Sequence, residues 1–295
     1  MPVGRPGCER MAGVTAAPSA PRIVFLDVDG TYAHHGQVPP AHEQVVREAR
    51  ARGHRVLLCT GRPTSMLPEQ IRAAGFDGIV ASAGGYVEVD GVVLRDQRFP
   101  ADLAARAIEV LDRHDAAYLL EAPDALYGRP GVDRRLGELL GGHFGRDDGG
   151  TDGAASPLEI LRALRTPDDL GACSFAKITY FGAAIPWPEL GAELGDRLGI
   201  LPSSIAAMGD AAGEIYLLGV HKALGVEAVI EHLGVAREDV IAFGDGLNDL
   251  EMLEHAGTGV AIEGADPRLL AVADLVVPGP QVAGLVEGFA RVGLV

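Results

Sequence analysis

The chain has 295 residues, 47% of them apolar, enough for one large core or two ordinary ones and too many for a disordered polymer. Its formal net charge of −16 argues against a nucleic-acid backbone or an anionic membrane surface as partner. An anionic substrate would need a local cation in that field. Aromatic residues make up only 5%, which leaves the core to Ala, Val, Leu and Ile, and no apolar run is long enough to span a membrane.

Residues 1–21 contain Arg5 and Arg10 but no apolar stretch, and read as a disordered tail rather than a signal peptide. Cys8, Cys59 and Cys173 are scattered, with no metal-ligand spacing, and read as free thiols in a reducing, cytoplasmic setting. The first organised element is a buried strand over 23–27. A helix follows over 41–52, then a strand over 55–59, a helix over 66–74 and a short strand over 78–81. This alternation with compact connections predicts a Rossmann-like parallel sheet covered by helices.

The rhythm then changes. Residues 86–94 alternate around Asp90-Gly91, a hairpin signal. A helix is predicted over 101–114, and 123–157 is too rich in Gly, Asp and Arg to assign. Further elements are a strand over 175–181, a helix over 190–198 and strands over 204–208 and 213–218. From Lys222 the first rhythm returns. Ala223, Leu224, Val226, Val229, Ile230 and Leu233 share one helical face. A strand over 240–243, a helix over 249–256, a strand over 259–262, a helix over 267–273 and a strand over 275–277 complete the chain. The expected fold is α/β: a core of 22–84 and 220–295 carrying an inserted α+β cap over 85–219.

Three strand tips are chemically unusual. The first ends in Asp27 and Asp29, the second in Thr60-Gly61-Arg62, and the strand over 240–243 in Asp245, with Asp249 close behind. Buried charge is costly without a partner or metal, and ligands bind outside the carboxyl ends of such strands. Each tip alone also reads as ordinary turn chemistry; their joint occurrence does not. Lys222 opens a helix, where the dipole disfavours a cation unless an anion sits beside it.

These segments resemble the four motifs of the haloacid dehalogenase superfamily of phosphotransferases. Asp27-Val28-Asp29-Gly30-Thr31 resembles motif one, Thr60-Gly61-Arg62 motif two, Lys222 motif three and Gly244-Asp245-Gly246-Leu247-Asn248-Asp249 motif four. The long insert resembles, in placement and length, the type IIB cap of the Cof-type phosphatases. The resemblance implies that Asp27 attacks phosphorus to form an aspartyl-phosphate and that Asp29 acts as general acid and base. It implies Mg2+ held by Asp27, the Asp29 backbone and Asp245, with Asp249 in support. Thr60, with Gly61 and Arg62, and Lys222 and Asn248 would bind phosphate or substrate.

Two departures stand out. Tyr32 replaces a usual leucine and is read as altering the entrance, and Ala83 stands where an Asn-Gly pair is common. His34 and His35 read as solvated loop residues or a gate, and Arg62 as a substrate contact or the partner of an acid. Arg129, Arg134, Arg135 and Arg146 read as surface charge balancing Asp133, Asp147 and Asp148. Gly141-Gly142 and Gly149-Gly150 lack the setting of a nucleotide loop. The function expected is a magnesium-dependent phosphatase of a small phosphorylated metabolite, a sugar phosphate or similar monoester, acting as monomer or homodimer. A phosphomutase and a non-catalytic phospho-metabolite-binding module are the alternatives.

Overall fold

Ile23–Leu26 (β1) has no polar residue and is wholly buried, which a strand achieves only at the centre of a sheet covered on both faces. Its alternate side chains enter two cores. Val24 and Leu26, with Val56 and Leu58 of β2 (Arg55–Cys59), pack against α1 (Pro40–Ala51). Ile23 and Phe25, with Leu57 and Cys59, pack against α6 (Lys222–Leu233) and α7 (Leu250–His255). The computed structural model describes residues 21–144, 160, 162–203 and 206–295. All but the last residue of the expected tail 1–21, together with Arg146, Asp147, Asp148, Gly149 and Gly150, therefore lies outside the described residues.

Among those residues the large sheet has eight strands in the order β14-β13-β12-β1-β2-β3-β4-β5. Besides β1 and β2 they are β3 (Gly78–Ala81), β4 (Tyr86–Val89), β5 (Val92–Asp96), β12 (Val240–Gly244), β13 (Thr258–Ile262) and β14 (Leu275–Val277). The strands from β14 to β3 are parallel. The chain runs outward from β1 through β2 to β3, and later from β12 through β13 to β14 on the other side. Strand order thus reverses between β1 and β12, the place where such sheets open a crevice.

The inserted α+β cap contains a second sheet, ordered β10-β11-β9-β6-β7-β8 among the described residues. Its strands are β6 (Ala117–Glu121), β7 (Leu126–Tyr127), β8 (Leu164–Arg165), β9 (Lys177–Phe181), β10 (Leu198–Pro202) and β11 (Gly213–Leu217). Two helices, α3 (Ala101–Arg113) and α5 (Trp187–Leu194), cover one face. The helix α4 (Val132–Phe144) lies on the other, through Val132 and Leu136.

Several elements differ from the sequence reading. The hairpin of β4 and β5 belongs to the large sheet, because β4 pairs antiparallel with β3; the sheet therefore runs to Asp96 instead of stopping near 84. The helix expected over 66–74 shrinks to α2 (Glu69–Arg72). Pro68 has no amide to donate and forces Leu67 into extended backbone, so it can start a helix but not sit inside one. The helix expected over 190–198 begins at Trp187 and yields to β10 at Leu198. Ala206–Ala211 is a 3-10 turn, not a strand, and Ser204 lies outside the described residues. The sequence reading overlooked β6, α4 and α9 (Gly284–Arg291). Two of the eight residues of α9 are glycines with poor helix propensity, and Gly288 sits where a side chain would strike the Phe243 ring.

Tyr32 is not at an entrance. It is fully buried, edge-on to Phe76 with ring centroids 5.4 Å apart. Its carbonyl accepts from His42 Nδ1 at 2.9 Å, while the Leu285 amide donates to His42 Nε2 at 3.3 Å. A neutral His42 thus ties the first-strand loop to α9. Burial lowers its pKa from the ordinary 6.5, against the pull of the Tyr32 and Ala283 carbonyls. The unfolded ring takes up a proton that the buried ring refuses, so this site's stabilisation is full above pH 6.5 and drains away as pH falls below it. In urea unfolding, wild type should exceed His42→Gln by about 1–3 kcal/mol near neutral pH. The gap should narrow on acidification to about pH 5.5; a gap independent of pH refutes this role.

Candidate active site

The tips of β12, β1 and β2 lie side by side because those strands are neighbours in the sheet. Asp27 follows β1 directly, its amide donating to the Phe243 carbonyl at 3.0 Å. Beyond it the chain folds back, with Tyr32 N on Asp27 O at 3.2 Å and Ala33 N on Val28 O at 2.7 Å. Gly30 makes the bend at φ +88°, and a Cβ there would collide with the Asp245 carboxylate. The neighbouring Thr31 donates its hydroxyl to Asp245 Oδ1 at 2.8 Å. Motif one therefore grips motif four directly, across more than two hundred residues of sequence.

Lys222 is fully buried at the start of α6. Its Nζ lies 2.6 Å from Asp27 Oδ1 and 2.5 Å from Asp249 Oδ1. Burial works against its charge, but Asp249 and Asp27 outweigh that and hold the ammonium well above its ordinary pKa. The anion demanded by a lysine at a helix start is thus supplied by two carboxylates. Asp249 Oδ2 also accepts the amides of Gly246 at 3.0 Å and Asp245 at 3.2 Å, which shapes the motif-four turn.

One carboxylate oxygen from each of Asp27, Asp245 and Asp249 falls within 4.8 Å of the others. Burial pushes the Asp27 carboxyl well up, Lys222 opposes this, and the neighbouring acids add to it. Burial, with Asp249, raises Asp245 to about 6. Crowded acids that retain protons in this way fit a divalent cation, which replaces those protons and takes hard oxygen ligands.

The Asp29 side chain turns away from this cluster. Arg62 holds it with both arms, Nε to Oδ2 at 2.7 Å and Nη2 to Oδ1 at 2.5 Å. Arg62 is thus engaged with an acid in this structure. Thr60 Oγ1 accepts the Arg62 amide at 3.1 Å, which orders the motif-two turn. Asn248 is exposed, with Nδ2 near Gly61 across the crevice. Ser82 and Ala83 both adopt left-handed backbone, at φ 49° and 53°, a conformation asparagine and glycine hold more easily. Gly84 beside them, at φ +99°, leaves no room for a Cβ against the His221 carbonyl. This turn braces the start of α6 and hence Lys222.

Other candidates lie elsewhere. The rings of His34 and His35 are 3.8 Å apart in the loop, and Gln281 lies within hydrogen-bond distance of His34. Arg129 pairs with Asp112 and Arg135 with Asp115, while two of the acids expected, Asp147 and Asp148, lie outside the described residues. Cys59 is a buried core residue beneath the site. Sequence reading overlooked the Thr31–Asp245 bond and a buried Lys177–Glu121 pair in the cap. A lysine inside the otherwise apolar and hydroxylic strand 177–181 was the available signal for the second.

A family model described as haloacid dehalogenase-like hydrolase matches residues 24–288. YkrA of Bacillus subtilis is 27% identical over 278 residues, covering 92% of this chain and 98% of that protein. The pyridoxal phosphate phosphatase YbhA of Escherichia coli is 26% identical over 273 residues, covering 87% and 93%. The solved structure of BT4131, described as a subclass IIB sugar phosphatase, superposes with a TM-score of 0.69 at 20% identity, covering 93% of this chain and all of that one.

The burial of Lys222 makes a prediction. Lys222→Met strands two carboxylates in the interior and should destabilise the protein by about 3–5 kcal/mol in a chelating buffer. An unfolding curve unchanged from wild type would show that the trio carries no such load.

Proposed function

The chain belongs to the haloacid dehalogenase-like hydrolases and is a phosphatase of that family, and from this premise we propose that it hydrolyses small phosphorylated metabolites, sugar phosphates or similar monoesters, with Mg2+. The observation that carries the reading is the meeting of Asp27, Lys222, Asp245 and Asp249, drawn from opposite ends of the chain, in one crevice.

In this reading an Asp27 oxygen attacks phosphorus, and the ester oxygen leaves with its electron pair. Lys222 opposes the effect of burial on that carboxylate and aims it. Asp29 gives a proton to the departing alkoxide. The resulting carboxylate then takes a proton from water, whose oxygen attacks the aspartyl-phosphate and releases phosphate and free Asp27. The two-armed Arg62 contact occupies both Asp29 oxygens, so its acid role requires that contact to loosen. Arg62 is well placed to respond to the cap: two and three residues on, Thr64 and Ser65 donate to the carbonyls of Pro123 and Ala122 at 2.6 and 2.7 Å. Thr60, which is buried, and Asn248, which is exposed, are assigned to phosphoryl or substrate oxygens. Asp27, Asp245 and Asp249, with the Asp29 backbone, would hold the ion, which would supply charge neutralisation at the phosphoryl oxygens when bound.

Phosphate release from a panel of sugar phosphates, nucleotides and cofactor phosphates tests the activity. Asp27→Asn should lower it by at least about 10³-fold while circular dichroism stays unchanged. Retained turnover removes Asp27 as nucleophile. Metal use has a separate readout. Saturating Mg2+ at about one hundred times its dissociation constant should stabilise the wild type by about 2.7 kcal/mol. That gain should disappear in Asp245→Asn. Because protons compete for Asp245, it should also weaken as pH falls through about 6. Equal stabilisation of both proteins by Mg2+ refutes the ligand assignment.

A further inference from the structure

Strand alternation divides the cap sheet's side chains between two faces. Leu120, Tyr118, Ile178, Tyr180 and Ile215 meet α3 and α5 in an apolar core. The opposite face is polar at its centre. Register sets Glu121 beside Lys177, Lys177 beside Tyr216, and Thr179 beside Glu214. Glu121 and Lys177 are only 3% and 5% exposed. Lys177 Nζ lies 3.3 Å from Glu121 Oε2 and 3.1 Å from Glu214 Oε2, and Thr179 donates its hydroxyl to Glu121. Thr179, Glu214 and Tyr216 are half-buried and complete the patch.

This face borders the loop that follows motif two. Met66, just past motif two, packs with Ala117, Leu119 and Phe181 of the same face. Thr64 and Ser65 bond to the two residues that follow Glu121. On the other side, Tyr216 lies close enough to α7 for the Glu251 charge to add to the effect of burial on its hydroxyl. The patch thus lies between the motif-two loop and α7. Folding does not call for it, since a buried ion pair contributes less than apolar residues of the same volume. Nor do the catalytic steps above use it.

We propose that Glu121, Lys177, Thr179, Glu214 and Tyr216 form the leaving-group subsite of the phosphatase, one that accepts the hydroxyls of a neutral polyol and excludes a leaving group bearing a second anion. The proposal rests on the phosphatase reading given above. Two carboxylates face one ammonium, so the patch is net negative, and Lys177 is already shared between both acids. Glu214 offers its oxygens to hydroxyl donors, and Tyr216 can give or accept a hydrogen bond. Leu201, 44% exposed and directly opposite Glu214 in the sheet, offers an apolar wall for the carbon skeleton. A second phosphate or a carboxylate would meet like charge at close range.

The test compares kcat/KM for a hexose 6-phosphate with that for the matching hexose 1,6-bisphosphate, in buffered magnesium chloride. Wild type should favour the monophosphate by about ten-fold or more. Glu214→Lys should move that ratio at least about ten-fold toward the bisphosphate, and Glu214→Gln part of the way. A wild type that favours the bisphosphate overturns the proposal. So does a ratio unmoved in both variants when their unfolding curves match wild type. Turnover of p-nitrophenyl phosphate by wild type separates the two levels. If it is absent, the phosphatase reading fails; if it is present with neither hexose ester turned over, the subsite alone fails.

Discussion

One buried ammonium organises this protein. Lys222 Nζ lies within 2.6 Å of carboxylates that belong to Asp27 and Asp249, and no other cation among the described residues pairs with them. Two carboxylates at a sheet's centre would repel each other and resist burial; with the lysine between them they become a rigid base for chemistry. The requirement spreads outward. Lys222 must start its helix at one height, so the preceding turn packs backbone to backbone at Gly84. Asp249 must turn inward, so its second oxygen gathers the Gly246 and Asp245 amides. Asp245 is then left beside Asp27 without a lysine of its own, which is what makes the place attractive to a divalent ion.

Around this fixed centre sit the parts with other duties. Asp29 is two residues from Asp27 yet lies in a different electrostatic setting, held by Arg62 and not by Lys222. Arg62 begins the same loop that touches the cap through Thr64, Ser65 and Met66. The partner of Asp29 and the cap contacts therefore share one short piece of chain.

Much of the core was legible in the sequence because buried parallel strands have few ways to be written. Arg55–Cys59 and Gly78–Ala81 read directly as apolar runs stopped by turn residues. The helix expected over 66–74 starts only at Glu69, because Pro68 holds the residue before it in extended backbone. The hairpin at Asp90-Gly91 was legible as a hairpin, but not as part of the large sheet, since its pairing with β3 is long-range information. Tyr32 read as altering the entrance because it follows the motif-one loop; packing against Phe76 and His42 makes it core.

The sequence by itself determined the chemistry available: acids at strand tips, a lysine at a helix start, and an order of segments that resembles a known family. Those features are local, set by residue type and short-range spacing. Only the tertiary structure decided which acid each cation serves. Lys222 goes to Asp27 and Asp249, Arg62 to Asp29, and Lys177 to Glu121 and Glu214. Ion pairing depends on distance and burial, and neither exists until strands far apart in the chain lie side by side.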